Sequence, residues 1–254
     1  MASRPAHAVV IEVLSLLGLF AARRFLLPSL RFNDGTNDAV GGTVQAIGVF
    51  YGITVGLIAA SVWATNSTSA DLVSKEAASI GALYADVSGY PSPVKEELQA
   101  KLRDYTVFTI EQAWPAQKKG QILDGGTRIL DDFRTRLSSF QSRTTGEAAL
   151  HQETLHAFNN LTENRRLRVG AVLSGLSGVM WAVIWIGAAF SISVAYFYKI
   201  EDPRIHAILV ALMSGFLSVV LFMIVHNDRP FYGYDSITAD SFKLILDRLI
   251  AISK

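Results

Sequence analysis

The residues of this 254-residue chain that could perform chemistry do not form a catalytic pattern. The chain contains no cysteine, which excludes thiol catalysis, disulfides and cysteine-ligated metal sites. His151 and His156 are five residues apart, a spacing that separates them by about 140° around a helix and makes them a poor metal pair. Adjacent carboxylates such as Glu96 and Glu97 also diverge on a helix. Because no phosphate loop or nucleophile motif is present either, the sequence predicts neither an enzyme nor a bound cofactor.

The pattern that does indicate chemistry lies in residues 39–64, a segment without formal charge. Small residues recur there at every fourth position: Gly48, Gly52, Gly56 and Ala60. Small residues at this spacing let membrane helices approach closely, so the ridge predicts helix packing, either within the chain or between subunits. The remaining surface of this helix carries candidate pore-lining residues: Ile47, Phe50, Tyr51, Thr54 and Ile58. In a ring of subunits they would form a narrow constriction that gates by dewetting, whereas on a single helix they would face lipid.

Three arginines form a second candidate feature: Arg165, Arg166 and Arg168. They directly precede an uncharged segment, which favours either contact with lipid phosphates or a basic collar that concentrates anions at a pore entrance. The net charge of +1 provides no general attraction to nucleic acid. The predicted partners are therefore membrane lipid, a small inorganic ion and further copies of the chain.

The composition places these residues in a membrane protein. Only 18% of the residues are charged, compared with about 25% in soluble domains. Three segments contain no Asp, Glu, Lys or Arg, and each exceeds the roughly 20 residues that a spanning helix requires: 39–64, 170–197 and 205–226. A fourth span, at about 8–27, requires Arg23 and Arg24 to snorkel. The alternative for its first part, residues 8–22, is a signal peptide, but that segment ends without a small-x-small cleavage pattern.

More than half of the formal charges lie between the second and third spans, in residues 65–168. Apolar residues recur there with a helical period, and no alternating run suggests a strand, so the whole fold is predicted to be all-α. The second span is expected to continue as one helix until Tyr90-Pro91-Ser92-Pro93. Three further helices are expected, and no breaker separates the last of them from the third span: about 93–113, 127–142 and 146–168.

The predicted organisation has four parts. They are the first two spans, a soluble helical domain, the last two spans and an amphipathic tail: 1–64, 65–168, 169–228 and 229–254. With the N-terminus inside, basic residues near the span ends are more numerous on the inner side. This distribution favours a cytoplasmic domain, and with it an integral protein of a bacterial inner membrane.

An ordered series of short motifs resembles the bacterial bestrophin-like family. The motifs extend over about 40–233, nearly the whole chain: Gly48-x-x-Tyr51, Val62-Trp63, Glu76-Ala77, Leu83-Tyr84, Tyr105, Trp114-Pro115, Gly120, Arg165-Arg166-x-Arg168, Trp181 and Asp228-Arg229-Pro230-Phe231-x-Gly233. The last motif is similar to the Pro-Phe-Gly that follows the fourth span of bestrophins, with Tyr232 inserted. Only Asp235 stands where animal bestrophins have their calcium-binding acidic run, so the resemblance implies no metal site here.

The resemblance implies a channel. Bestrophins are pentameric and mostly anion-selective, with four spans, a cytoplasmic helical domain between spans two and three, and a pore lined by the second span. Their hydrophobic necks have the spacing of Phe50, Thr54 and Ile58 in this chain. The function expected from the resemblance is therefore a chloride-conducting oligomeric ring. Because the chain has no polar pore-lining series, the alternative is a non-conducting membrane-anchored scaffold or sensor whose helical domain recruits a partner.

Overall fold

The computed structural model describes residues 5–30, 35–232 and 236–252. All regular secondary structure in these residues is helical, which confirms the predicted all-α fold. The α-helices are α1 (Pro5–Ala21), α2 (Thr36–Val87), α3 (Val94–Phe108), α4 (Trp114–Gln117), α5 (Gly125–Ser138), α6 (Thr145–Ala171), α7 (Gly178–Ala195), α8 (Pro203–Asn227) and α9 (Asp240–Ile252). Shorter π and 3-10 turns occupy Ala22–Leu26, Leu27–Ser29 and Thr109–Ala113.

The chain forms two compact units, with divisions after residues 64, 174 and 228. The first unit contains α1, the N-terminal half of α2, α7 and α8. The second contains the C-terminal half of α2, α3 to α6, and α9. The 52-residue α2 therefore contributes to both units. It is uninterrupted because no proline occurs between Thr36 and Pro91, where the sequence places the end of the helix.

In the first unit, α2 packs against α7 and α8, and α1 packs against α8. The first contact buries Val55 and Ile184, and the second buries Leu19 and Val210. One tyrosine links α2 to α7, and another links the C-cap residue of α7 to α1. Tyr51 Oη donates to the Ile184 carbonyl at 2.9 Å, and Tyr196 Oη donates to the Ser15 carbonyl at 2.9 Å.

Three helices of the described chain are long and apolar enough to cross a membrane: α2, α7 and α8. Helix α1 has 17 residues and ends at Ala21, before the two arginines that a longer span would include. Arg23 then donates to the backbone carbonyls of Ile200 and Glu201, at 3.1 and 3.3 Å. Its side chain therefore holds the segment between α7 and α8.

The helix in the segment predicted as the third span begins later than the sequence indicates. Helix α7 starts at Gly178 rather than near residue 170, and α6 does not continue into it. The Ser177 side chain caps α7 by accepting from the Met180 N–H at 3.3 Å. The Asp228 carboxylate accepts the Leu176 N–H at 2.6 Å. These two acceptors satisfy backbone groups of the break, and they position the start of α7.

In the second unit, a single core joins α2, α3, α5, α6 and α9. Fully buried side chains come from each of them: Ile80, Leu98, Leu102, Phe133, Leu161 and Phe242. Helix α9 packs against α3 and the π turn at Thr109–Ala113. The tail predicted to be amphipathic therefore forms part of this core.

Candidate functional site

One face of α2 is buried within the first unit and the rest of its surface is open. Tyr51 and Ile58, which the sequence offers as pore-lining residues, both lie on the buried face. Ile58 is only 7% exposed and packs among α7 and α8. The Tyr51 ring lies directly over Gly187 of α7, at a distance that leaves no room for a Cβ. These two side chains are covered by their own chain, so neither can line a pore in this conformation.

The exposed face of α2 is apolar. Phe50 is 74% exposed, and Val49, Ile53 and Leu57 are also exposed. Thr54 is half-buried, and its hydroxyl donates to the Phe50 carbonyl at 2.8 Å. Because this bond lies within the helix, the threonine presents mainly its methyl group. Ile47 is also half-buried. Of the five candidates, Phe50 is therefore the one that is fully available to a pore or a partner.

The ridge of small residues packs against nothing within the described chain. A Cβ added at Gly48, Gly52 or Gly56 would meet no described atom within 4 Å, and Ala60 is exposed. This finding removes the intramolecular interpretation of the ridge. Packing between copies of the chain remains as a proposal.

The three arginines of the predicted basic collar have three different environments. Arg166 is exposed and forms an ion pair with Glu163, with Nη2 and Oε1 at 2.8 Å. Arg165 is half-buried and donates to Thr127 Oγ1 at 3.0 Å. Arg168 is only 1% exposed. A collar requires arginines that share an exposed surface, so the structure corrects this prediction for Arg168.

Arg168 instead forms the centre of a buried polar cluster in the second unit. Its Nε donates to Glu76 Oε2 at 2.5 Å, and its Nη1 donates to Gln117 Oε1 at 2.8 Å. Tyr105 Oη donates to Glu76 Oε1 at 2.5 Å. Glu76 is 0% exposed. Burial, and secondarily the Glu76 carboxylate, raise the pKa of Tyr105, which keeps the hydroxyl neutral as a donor.

Two aromatic rings enclose this cluster. The Arg168 guanidinium carbon lies 5.4 Å from the Trp114 ring centre and 5.5 Å from that of Phe242. Burial alone would lower the pKa of Arg168, but the Glu76 carboxylate raises it, so the guanidinium remains charged. The site combines a buried ion pair with cation–π contacts, and it joins α2, α3, α4, α6 and α9.

Trp114 and Phe231, which belong to two of the family motifs, pack together beside this cluster. Trp114 Nε1 donates to the Ile237 carbonyl at 3.1 Å, and the Trp114 ring packs edge-on against Phe231. The Pro230 carbonyl accepts from the Ile237 N–H at 2.9 Å. The remaining motif residues have separate places: Pro115 opens α4, Arg229 contacts the Tyr232 ring, and Asp228 caps the break before α7. Gly233 and Asp235 lie outside the described residues.

Sequence reasoning missed the ion pair because Glu76 and Arg168 are 92 residues apart. A signal was nevertheless present. Phe158, Leu161 and Arg168 fall on one helical face, and Glu76 follows Val73 by three positions on an apolar face. A charge at an apolar position of each helix indicates that the two are paired. No group of three metal-ligating side chains occurs in the described part of the chain.

Comparison with known proteins agrees with this architecture. The Bestrophin-like domain matches residues 9–242. The chain is similar to two variants of a bacterial Bestrophin homolog from Klebsiella pneumoniae. One has a TM-score of 0.72 at 8% identity, covering 98% of this chain and 100% of that one. The other has a TM-score of 0.73 at 8% identity, covering 100% of this chain and 99% of that one. A further membrane protein has a TM-score of 0.74 at 8% identity, with 97% coverage of both chains. No curated protein matches the chain.

Proposed function

The chain belongs to the Bestrophin-like family, which confirms the resemblance drawn from its motifs, and on this premise we propose that it is a homo-oligomeric ion channel. The observation that carries the proposal is the open apolar face of α2 in the first unit, from Val49 to Leu57. Because α2 is packed on one side and open on the other, its open side can border both an ion pathway and a neighbouring copy of the chain. A ring of such helices encloses a narrow apolar constriction, which conducts when it is wetted.

Anion conduction is the form of this proposal that the sequence favours. Residues 39–64 contain no acidic side chain, and carboxylate rings are what usually selects cations in a pore. Chloride is therefore the ion to test first. The family supports a pentamer as the assembly, with Phe50 at the constriction and the ridge of Gly48, Gly52 and Gly56 between neighbouring copies.

The proposed arrangement has four spans in a bacterial inner membrane. Helix α1 exposes Val13, Leu17 and Phe20 while its other side packs on α8, which suits a helix between lipid and the bundle. The helical domain of residues 65–168 is then cytoplasmic, in agreement with the basic residues near the span ends.

Chloride flux into liposomes tests the channel directly. The purified protein, with its oligomeric state confirmed, is expected to raise chloride flux above that of empty liposomes. Phe50→Ala should increase this flux severalfold, because a smaller side chain widens the constriction and eases its wetting. Ile58→Ala is the matched variant on the buried face, and it should lower the unfolding temperature without a specific change in conductance. If confirmed oligomers pass no small ion, the non-conducting scaffold becomes the better description.

Two glycines distinguish packing between copies from packing within the chain. Gly52→Leu should leave the unit folded, because the site is open, but it should dissociate the oligomer on size-exclusion chromatography with light scattering. Gly187→Leu should destabilise the single chain by about 1–3 kcal/mol, since its side chain would collide with Tyr51. An oligomer that survives Gly52→Leu unchanged would show that the ridge is not the interface.

A further inference from the structure

A groove of about 220 Å³ lies between α5 and α6 in the second unit. Helix α5 contributes Thr127, Asp131 and Arg134, and α6 contributes Thr162 and Arg165. Phe158 and Leu130 complete the lining. The groove therefore brings two arginines from different helices to one concave surface.

Both arginines are held in place without being neutralised. Arg165 Nη2 donates to Thr127 Oγ1 at 3.0 Å, and its guanidinium lies beside Gly126 at the start of α5. The Arg134 guanidinium carbon lies 5.8 Å from the Phe158 ring centre. Within the described residues, neither arginine forms an ion pair with a carboxylate. Their charges are thus available to a ligand.

The donors in this groove suit an oxyanion with several oxygens. Guanidinium groups bind phosphate through paired hydrogen bonds. Thr127 accepts from Arg165, so its own hydroxyl proton remains free to donate. The groove is smaller than the roughly 300–1,000 Å³ of sites that enclose larger organic ligands. We propose that the groove between α5 and α6 binds a phosphate group, with Arg134 and Arg165 as its principal ligands.

Asp131 makes it possible to test the proposed site with two substitutions that should change phosphate affinity in opposite directions. Its carboxylate lines the same groove as the two arginines, and it repels an anion that the arginines attract. Removing this charge should strengthen phosphate binding, whereas removing Arg134 should weaken it. A variant that gains affinity must also be folded, so this pair of changes separates binding from misfolding.

Equilibrium dialysis of the full chain in lipid-free detergent, with radiolabelled inorganic phosphate and constant chloride, measures the site without requiring conduction. We expect saturable binding. Arg134→Gln should weaken it by about tenfold or more, as expected for loss of a charge-assisted contact, and Asp131→Asn should tighten it. Arg128→Gln is the matched control, because this exposed arginine lies on α5 outside the groove. Phe50→Ala should leave binding unchanged, which separates the groove from the proposed pore.

Nanodiscs with and without phosphatidic acid distinguish two sources of the phosphate. If the lipid competes with inorganic phosphate in the wild type, the groove accepts a headgroup; if it does not, the ligand is soluble. Absence of saturable binding, or equal losses in Arg134→Gln and Arg128→Gln, would overturn the proposal, because the affinity would then reflect general positive charge.

Discussion

Arg168→Met is expected to destabilise the second unit by about 3–5 kcal/mol, because it leaves the buried Glu76 carboxyl group without its cation. Tyr105 would remain as a donor to Glu76, but a neutral hydroxyl does not replace the guanidinium charge. Chemical unfolding followed by tryptophan fluorescence is a direct measurement, since Trp114 lies against the Arg168 guanidinium.

The matched control for this prediction is Arg166→Met. Arg166 also forms an ion pair, with Glu163, but both side chains of this pair are exposed to solvent, where such pairs contribute little to stability. A double replacement of Glu76 and Arg168 by apolar residues should cost less than Arg168→Met alone, because no unpaired charge then remains buried. Equal effects of Arg168→Met and Arg166→Met would show that the buried pair does not hold the unit together.

The helices could be predicted where local signals decide their bounds. Helix α2 ends at Val87 because Pro91 and Pro93 follow shortly after, and both are visible in the sequence. The start of α7 could not be predicted in this way. Residues 170–177 contain neither charge nor proline. Besides the local cap Ser177, the break there depends on Asp228, 52 residues away in the chain from Leu176. The contact between Asp228 and Leu176 leaves no periodic trace in residues 170–177.

The same distinction applies to the candidate site. Periodicity places Phe50 and Ile58 on one side of α2, yet Phe50 is 74% and Ile58 only 7% exposed. The difference arises because α7 and α8 cover the helix at Ile58, with Tyr51 lying over Gly187. Likewise, three arginines that are neighbours in sequence diverge, since only Arg168 lies on the face of α6 that meets Glu76. The helix was predictable, but its buried face depends on its partners.

Phe242→Ala is expected to destabilise the second unit by about 3–5 kcal/mol, the usual cost of truncating a buried phenylalanine. The Phe242 side chain is fully buried and lies 5.6 Å from the Trp114 ring, measured between ring centres. It also covers the Arg168 guanidinium, so its loss would admit water to the buried ion pair. Leu244→Ala is the matched control, because Leu244 lies on the same helix and is 54% exposed.

Hydrogen exchange shows whether the destabilisation caused by Phe242→Ala begins with local unfolding of α9. In Phe242→Ala, the amides of α9 should exchange faster than those of α5, because Phe242 is the fully buried anchor of that helix. The double variant Phe242→Ala/Arg168→Met should lose less free energy of unfolding than the sum of the two single variants, since both residues belong to one cluster. Additive losses, with α9 exchanging as in the wild type, would contradict the view that α9 closes the ion-pair site.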